Sequence, residues 1–257
     1  MTRASRLAYA QARLQARYGA LPDEALWQRL ESSASLPHFL QQARKTAIRP
    51  WVLEIGPHSD AHGVARALRQ RLREEVTAVA RWLPPPWHGA VDWTRRLVDL
   101  PALQTLFAGE PIPAWVYHDP ALSGFASEVP QIRLQALEAS ELAPLLADWR
   151  EGVPLPEAWR RHWRRLWPRL PDAEARALAA VERRLLWHRE TPAGGEPGDG
   201  TRARARLVDD LARLFRRYPA QPATAFLYLA VFALQLARLR TALATRLLFP
   251  PEEAPAA

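Results

Sequence analysis

Apolar residues in this chain recur at intervals of three and four and almost never alternate. Leu7, Ala10, Leu14 and Tyr18 share one helical face. Val64, Leu68, Leu72, Val76, Val79 and Leu83 share another, in a long segment that begins at Asp60, a residue suited to cap a helix. Leu178, Val181 and Leu185 repeat the spacing, as do Leu207, Leu211 and Leu214. No run of alternating β-branched residues offers a strand. Ala, Leu, Arg, Gln and Glu dominate, and all favour helix. The pattern predicts an all-α fold of stacked helical hairpins or bundles.

Proline punctuates this pattern. Leu21-Pro22-Asp23-Glu24, Leu155-Pro156-Glu157 and Leu170-Pro171-Asp172 read as helix starts. Proline in a first turn gives up no needed N–H, and acids there meet the positive end of the helix dipole. Ser35-Leu36-Pro37 and Asp99-Leu100-Pro101 are looser versions, and Pro84-Pro85-Pro86 is a sharp break. Residues 191–201, TPAGGEPGDGT, hold four of the eleven glycines and read as a mobile loop. The expected organisation is therefore a helical bundle region over 1–190, the loop over 191–201, and C-terminal helices over 202–257 packing back on the body.

The 257 residues contain no cysteine, which excludes disulfides, thiolate metal sites and a cysteine nucleophile. That fits a reducing cytoplasm. The start is interrupted by arginine too often for a signal peptide. The most apolar stretch, from Ala223 to Ala237, is about 15 residues and runs into Arg238 and Arg240. A membrane span needs roughly 20, so this reads as a buried core helix, with interfacial membrane contact as the alternative.

The formal charge of +8 rests on 35 cations, of which Lys45 is the only lysine. Asparagine is absent and isoleucine occurs four times, so the arginine richness follows a GC-rich codon supply as much as a partner. Locally the balance is +6 over residues 1–100, −5 over 101–156 and +7 over 202–246. Basic ends around an acidic middle suit a connector between different partners.

Chemical motifs are largely missing. Lys45-Thr46 lacks the preceding glycines of a phosphate-binding loop, and there is no GxGxxG, GxSxG or HExxH. His58-Ser59-Asp60-Ala61-His62 is the one histidine cluster, and it reads as a capped helix start with surface histidines rather than a metal site. Glu74-Glu75 reads as a solvated pair on a polar helix face. The helix from Trp159 to Leu170 sets Trp159, Trp163 and Trp167 in one stripe among Arg160, Arg161, Arg164 and Arg165. Such a stripe could grip a single-stranded nucleic acid or a membrane surface, but a core stripe with a solvated arginine face is the preferred reading. An enzyme is not expected, and no cofactor is implied.

Both ends carry a family resemblance. The beginning runs Tyr9-Ala10-Gln11-Ala12-Arg13-Leu14-Gln15-Ala16-Arg17, then the Leu-Pro-Asp helix start, Phe39-Leu40-Gln41-Gln42-Ala43 and Thr46. The end has Phe226-Leu227-Tyr228-Leu229, Arg238-Leu239-Arg240 and Phe249-Pro250-Pro251-Glu252-Glu253. This resembles the C/d-type central-stalk family of A/V-type rotary ATPases, in a divergent and shortened bacterial form. Departures are Ile48 where that family has tyrosine, Phe232 where it has lysine, Ala233 and Gln235 where it has glutamates, and Arg238 where it has asparagine.

The resemblance implies an all-helical, funnel-like or V-shaped body with no catalytic residues. It implies a place in the central stalk at the cytoplasmic face of the inner membrane, peripheral to the bilayer. Its partners would be the D/F-like rotor shaft and the membrane proteolipid ring, and its role the coupling of ATP turnover to ion transport. Arg13, Arg17, Arg238 and Arg240 are the candidate partner contacts. The competing expectations are a basic helical nucleic-acid-binding protein and an adaptor of another membrane-associated machine.

Overall fold

A computed structural model describes residues 2–190 and 199–249 of the chain, with the side chains of 187–190 excepted. All secondary structure among the described residues is helical. The α-helices are α1 (Arg3–Gly19), α2 (Glu24–Glu31), α3 (Leu36–Ala43), α4 (Arg49–Val52), α5 (Ala61–Trp82), α6 (His88–Asp92) and α7 (Leu100–Phe107). They continue with α8 (Pro130–Glu138), α9 (Ala143–Arg150), α10 (Leu155–Arg165), α11 (Asp172–Glu190), α12 (Asp199–Arg217) and α13 (Ala223–Leu248). Short 3-10 helices lie at Pro85–Trp87, Trp93–Asp99, Ala114–His118 and Ser123–Phe125.

The chain forms two compact units. One joins Met1–Pro85 with Arg169–Ala257; the other is Pro86–Pro168. This corrects the division expected from sequence, in which one bundle region spans 1–190. The triple proline marks the first crossing between units. The second falls inside the segment that reads as one helix to Leu170, because α10 stops at Arg165, ahead of Pro168. Of the expected loop, residues 191–198 lie outside the described residues, and Asp199–Thr201 open α12.

In the first unit, α13 and α5 are the two longest helices, and α13 packs against α5, α12, α11 and α1. All six apolar residues that mark the long segment from Asp60 are buried. Asp60 caps α5 by accepting a hydrogen bond from the Gly63 N–H at 2.7 Å. On α13, Leu227, Tyr228, Val231, Phe232 and Leu239 are buried, and Phe232 meets Trp51 edge-on at 5.2 Å. Each such side chain contributes about 1.5–3 kcal/mol by leaving water. The 26 residues of α13 satisfy the length and hydropathy of a membrane span, yet its buried face is occupied by its neighbours in this unit.

The proline starts fall into two kinds. Pro37, Pro101 and Pro156 lie in the first turns of α3, α7 and α10. Pro22 lies before its helix instead, because Asp23 is the cap and accepts from the Leu26 N–H. Pro171 precedes α11, and its carbonyl receives the N–H groups of Glu174 and Ala175.

The second unit is built from short helices. Its core includes Trp87, Leu103, Leu122, Leu137, Leu142 and Trp163. Its buried arginines bind within the unit. Arg133 donates to the carbonyls of Ser127 and Glu110, and Arg96 donates to Asp99 and Glu141. Burial alone would lower the Arg96 pKa, but the two carboxylates outweigh it and raise the value.

Candidate interaction site

A concavity lies wholly within the first unit. The α1–α2 turn, α2, α12 and α13 enclose a groove of about 890 Å³. Val231, Leu234, Arg238, Thr241, Thr245 and Phe249, spaced by three and four, line it from one face of α13. Leu21, Trp27 and Val208 add apolar surface, and Asp23 and Asp209 add carboxylates.

Two arginines build this groove rather than decorate it. Arg238 is bound by two glutamates of α2. Its Nη1 and Nη2 donate to Glu24 at 2.6 and 3.0 Å, and its Nε and Nη2 donate to Glu31 at 2.7 and 2.8 Å. Its guanidinium also lies 5.0 Å from the Trp27 ring centre. The Trp27 indole in turn donates to Gln235 Oε1 at 2.7 Å. The hydrogen bond from Arg238 holds the Glu24 carboxyl below its ordinary range, and the glutamates raise the Arg238 pKa. Arg246 does related work without a carboxylate. It is buried and donates to the carbonyls of Ser33, Leu30 and Glu31, closing the C-terminal end of α2. Burial lowers its pKa.

The four sequence candidates therefore separate. Arg238 is committed to α2. Arg240 is exposed on α13. Arg13 is exposed on α1, with its Nε donating to the Tyr9 hydroxyl at 3.0 Å. Arg17 is half-exposed, 3.9 Å from Glu75 Oε1 and stacked toward Trp82. The structure does not gather all four into one cluster.

Glu75 corrects the reading of Glu74-Glu75 as a solvated pair. Glu74 is exposed, but Glu75 is 1% exposed and joins three helices. It accepts from the Tyr228 hydroxyl at 2.7 Å and from Arg71 at 2.6 Å, and it faces Arg17. Burial, with the Glu75 charge second, pushes the Tyr228 pKa up. Position 75 falls three after Leu72 and four before Val79, so helical spacing places it on the buried face. Nothing in the sequence pattern singles out Gln11. It accepts the Ala220 N–H at 3.0 Å and holds the α12–α13 turn, where Ala220 has φ +53°.

Of the tryptophan stripe, Trp159 and Trp163 are core, and Trp167 is half-buried beyond the end of α10. Trp159 and Trp163 are buried and stacked at 5.6 Å, and the Trp163 indole donates to Ala90 O. Their faces are not a free stacking platform, which removes the main support for a nucleic-acid site on α10. Among the described residues, no three His, Asp or Glu side chains converge as a metal site.

No protein-family model, curated protein or solved structure matches this chain.

Proposed function

We propose that the chain is a non-catalytic coupling component of an A/V-type rotary ATPase, linking the rotor shaft to the membrane proteolipid ring at the cytoplasmic face. The reading rests on the terminal resemblance. The observation that most supports it is that the two segments carrying the resemblance, α1 and α13, pack into one body around α5. Phe232, at a position where the family has lysine, is buried against Trp51, so this departure is absorbed in the core. Charge adds support. The unit formed from both chain ends carries 27 cations against 17 acids, whereas the other carries 8 against 10. A connector between unlike partners needs such polarity. The reading involves no cofactor and no nucleic acid.

The test is reconstitution of the full chain with the D/F-like shaft proteins and the proteolipid of its own organism. Stable capture of either is expected. Arg13→Glu combined with Arg17→Gln, which sets no second carboxylate beside Glu75, should weaken capture by about tenfold while leaving the helical content intact. Failure to bind either partner contradicts the proposal.

A further inference from the structure

The start of α8, in the second unit, sets exposed apolar side chains beside carboxylates that have no partner. Val129 and Ile132 are 47% and 55% exposed. Val129 is the N-cap of α8 and Ile132 its third residue, positions whose side chains are neighbours. Arg133 ties a second segment to this turn. Its Nε donates to Ser127 O at 3.2 Å and its Nη1 to Glu110 O at 3.0 Å, which brings Glu110 and Pro111 alongside Glu128 and Val129. Arg133 is buried and has no carboxylate partner among the described residues, a costly placement for a cation whose guanidinium holds the two segments together. Glu110 and Glu128 are exposed and form no ion pair among the described residues, whereas Glu138 pairs with Arg150, and Glu141 with Arg95 and Arg96. Between residues 101 and 149 the only lysine or arginine is the buried Arg133.

We propose that this surface docks a short basic segment of a partner protein, one that carries apolar side chains beside Lys or Arg. Val129 and Ile132 take the apolar side chains, and Glu110 and Glu128 take the cations. Charge fixes the class of partner, because unpaired carboxylates repel nucleic acid and anionic lipid and attract a basic chain. Size fixes its form. A globular interface uses about 20–30 residues a side, and a patch this small suits a linear segment. Pro111 and Pro130 hold the backbone of both segments, so docking orders little that is not already fixed. The inference goes beyond the coupling role and does not depend on it.

Fluorescence anisotropy of a short labelled Leu/Lys peptide against the full chain tests it, with a Leu/Glu peptide of the same pattern as control. The Leu/Lys peptide should bind at least about tenfold more tightly, and the difference should shrink as salt rises. Carbodiimide coupling of the bound peptide should join its lysines to Glu110 and Glu128. Val129→Ser with Ile132→Ser should weaken binding by about tenfold. Glu110→Gln with Glu128→Gln should weaken it by about fivefold. Both variants should keep the wild-type circular dichroism, since all four side chains are exposed. Equal binding of the two peptides overturns the proposal, as does unchanged binding by either variant. Coupling at Asp23, Glu24 or Asp209 in place of Glu110 and Glu128 would also overturn it, by moving the site to the groove of the first unit. Self-association that either variant abolishes, without peptide binding, would assign the surface to a second copy instead. Neither variant alters Arg13 or Arg17, and shaft capture is scored without peptide, so the two proposals fail separately.

Discussion

The two units close polar side-chain contacts over different distances along the chain. In the unit made from both ends, Tyr228 reaches Glu75 across 153 positions, Trp27 reaches Gln235 across 208, and Arg238 reaches Glu24 across 214. In the unit of residues 86–168, Arg96 pairs with Asp99 three positions away and with Glu141 at 45. The first unit cannot complete its polar contacts until both termini are present. The second closes its own within 86–168, over spans of up to 73 positions. Long periodic helices need distant partners to fix their order, and short proline-bounded helices can be stitched locally.

This contrast can be broken by experiment because the reporters divide unevenly. Seven of the eleven tryptophans lie in residues 86–168, so fluorescence follows mainly that unit. Far-UV circular dichroism weights the long helices α1, α5, α12 and α13 of the other. The largest expected effect is from Glu75→Ala. It strands the Tyr228 hydroxyl and leaves Arg71 with only Glu74, and removing one member of a buried ionic cluster costs about 3–5 kcal/mol. The dichroism midpoint in urea should fall well ahead of the fluorescence midpoint. Equal shifts in both would mean that the units unfold as one.

A smaller effect is expected in the second unit from His162, whose ring packs 4.4 Å from Trp93. Burial, followed by the nearby Arg165 charge, holds its pKa below the ordinary 6.5, against the opposing pull of Asp148 and Glu141. A base with a depressed folded pKa favours the neutral form. Its stabilisation is fully present above 6.5 and is lost as pH falls through the lower folded value. The fluorescence midpoint should therefore drop on acidification below 6.5, and His162→Phe should flatten that drop. Glu141, whose folded pKa lies below 4.5 because Arg96 and Arg95 overcome its burial, adds a further loss only in more acid solution. An identical pH slope in His162→Phe would remove the histidine from the explanation.

The smallest effect is at the α12–α13 turn. Ala220 has φ +53°, a region that costs a residue with a Cβ about 1–2 kcal/mol, so Ala220→Gly should stabilise by about 1 kcal/mol. The gain should appear in the dichroism transition and leave fluorescence unmoved. A destabilised variant would show that the turn tolerates alanine without strain.

Legibility in the sequence follows the same divide. The α5 core face and the Asp60 cap are readable because they depend on residues three and four apart. The core role of the α10 tryptophans follows from the same spacing. The contacts of Glu75 with Tyr228, Gln11 with Ala220 and Arg238 with Glu24 are hidden because they span 153 to 214 positions, beyond any local pattern. Glu75 is readable as buried from its register, but carboxylate chemistry argues for solvent. Arg238 looks like a partner contact because an arginine ending an apolar run resembles a surface charge until Glu24 and Glu31 are folded against it. The second unit boundary is obscured because the Trp/Arg pattern runs on past Arg165, whereas the helix does not.

Native-state hydrogen exchange on the full chain tests the two-unit account most directly. The slowest amides of α1, α5 and α13 should exchange with one common opening free energy, and those of α9 and α10 with a different one. A single shared value for α5, α13 and α10, or an α1 that opens while α13 stays protected, would contradict it.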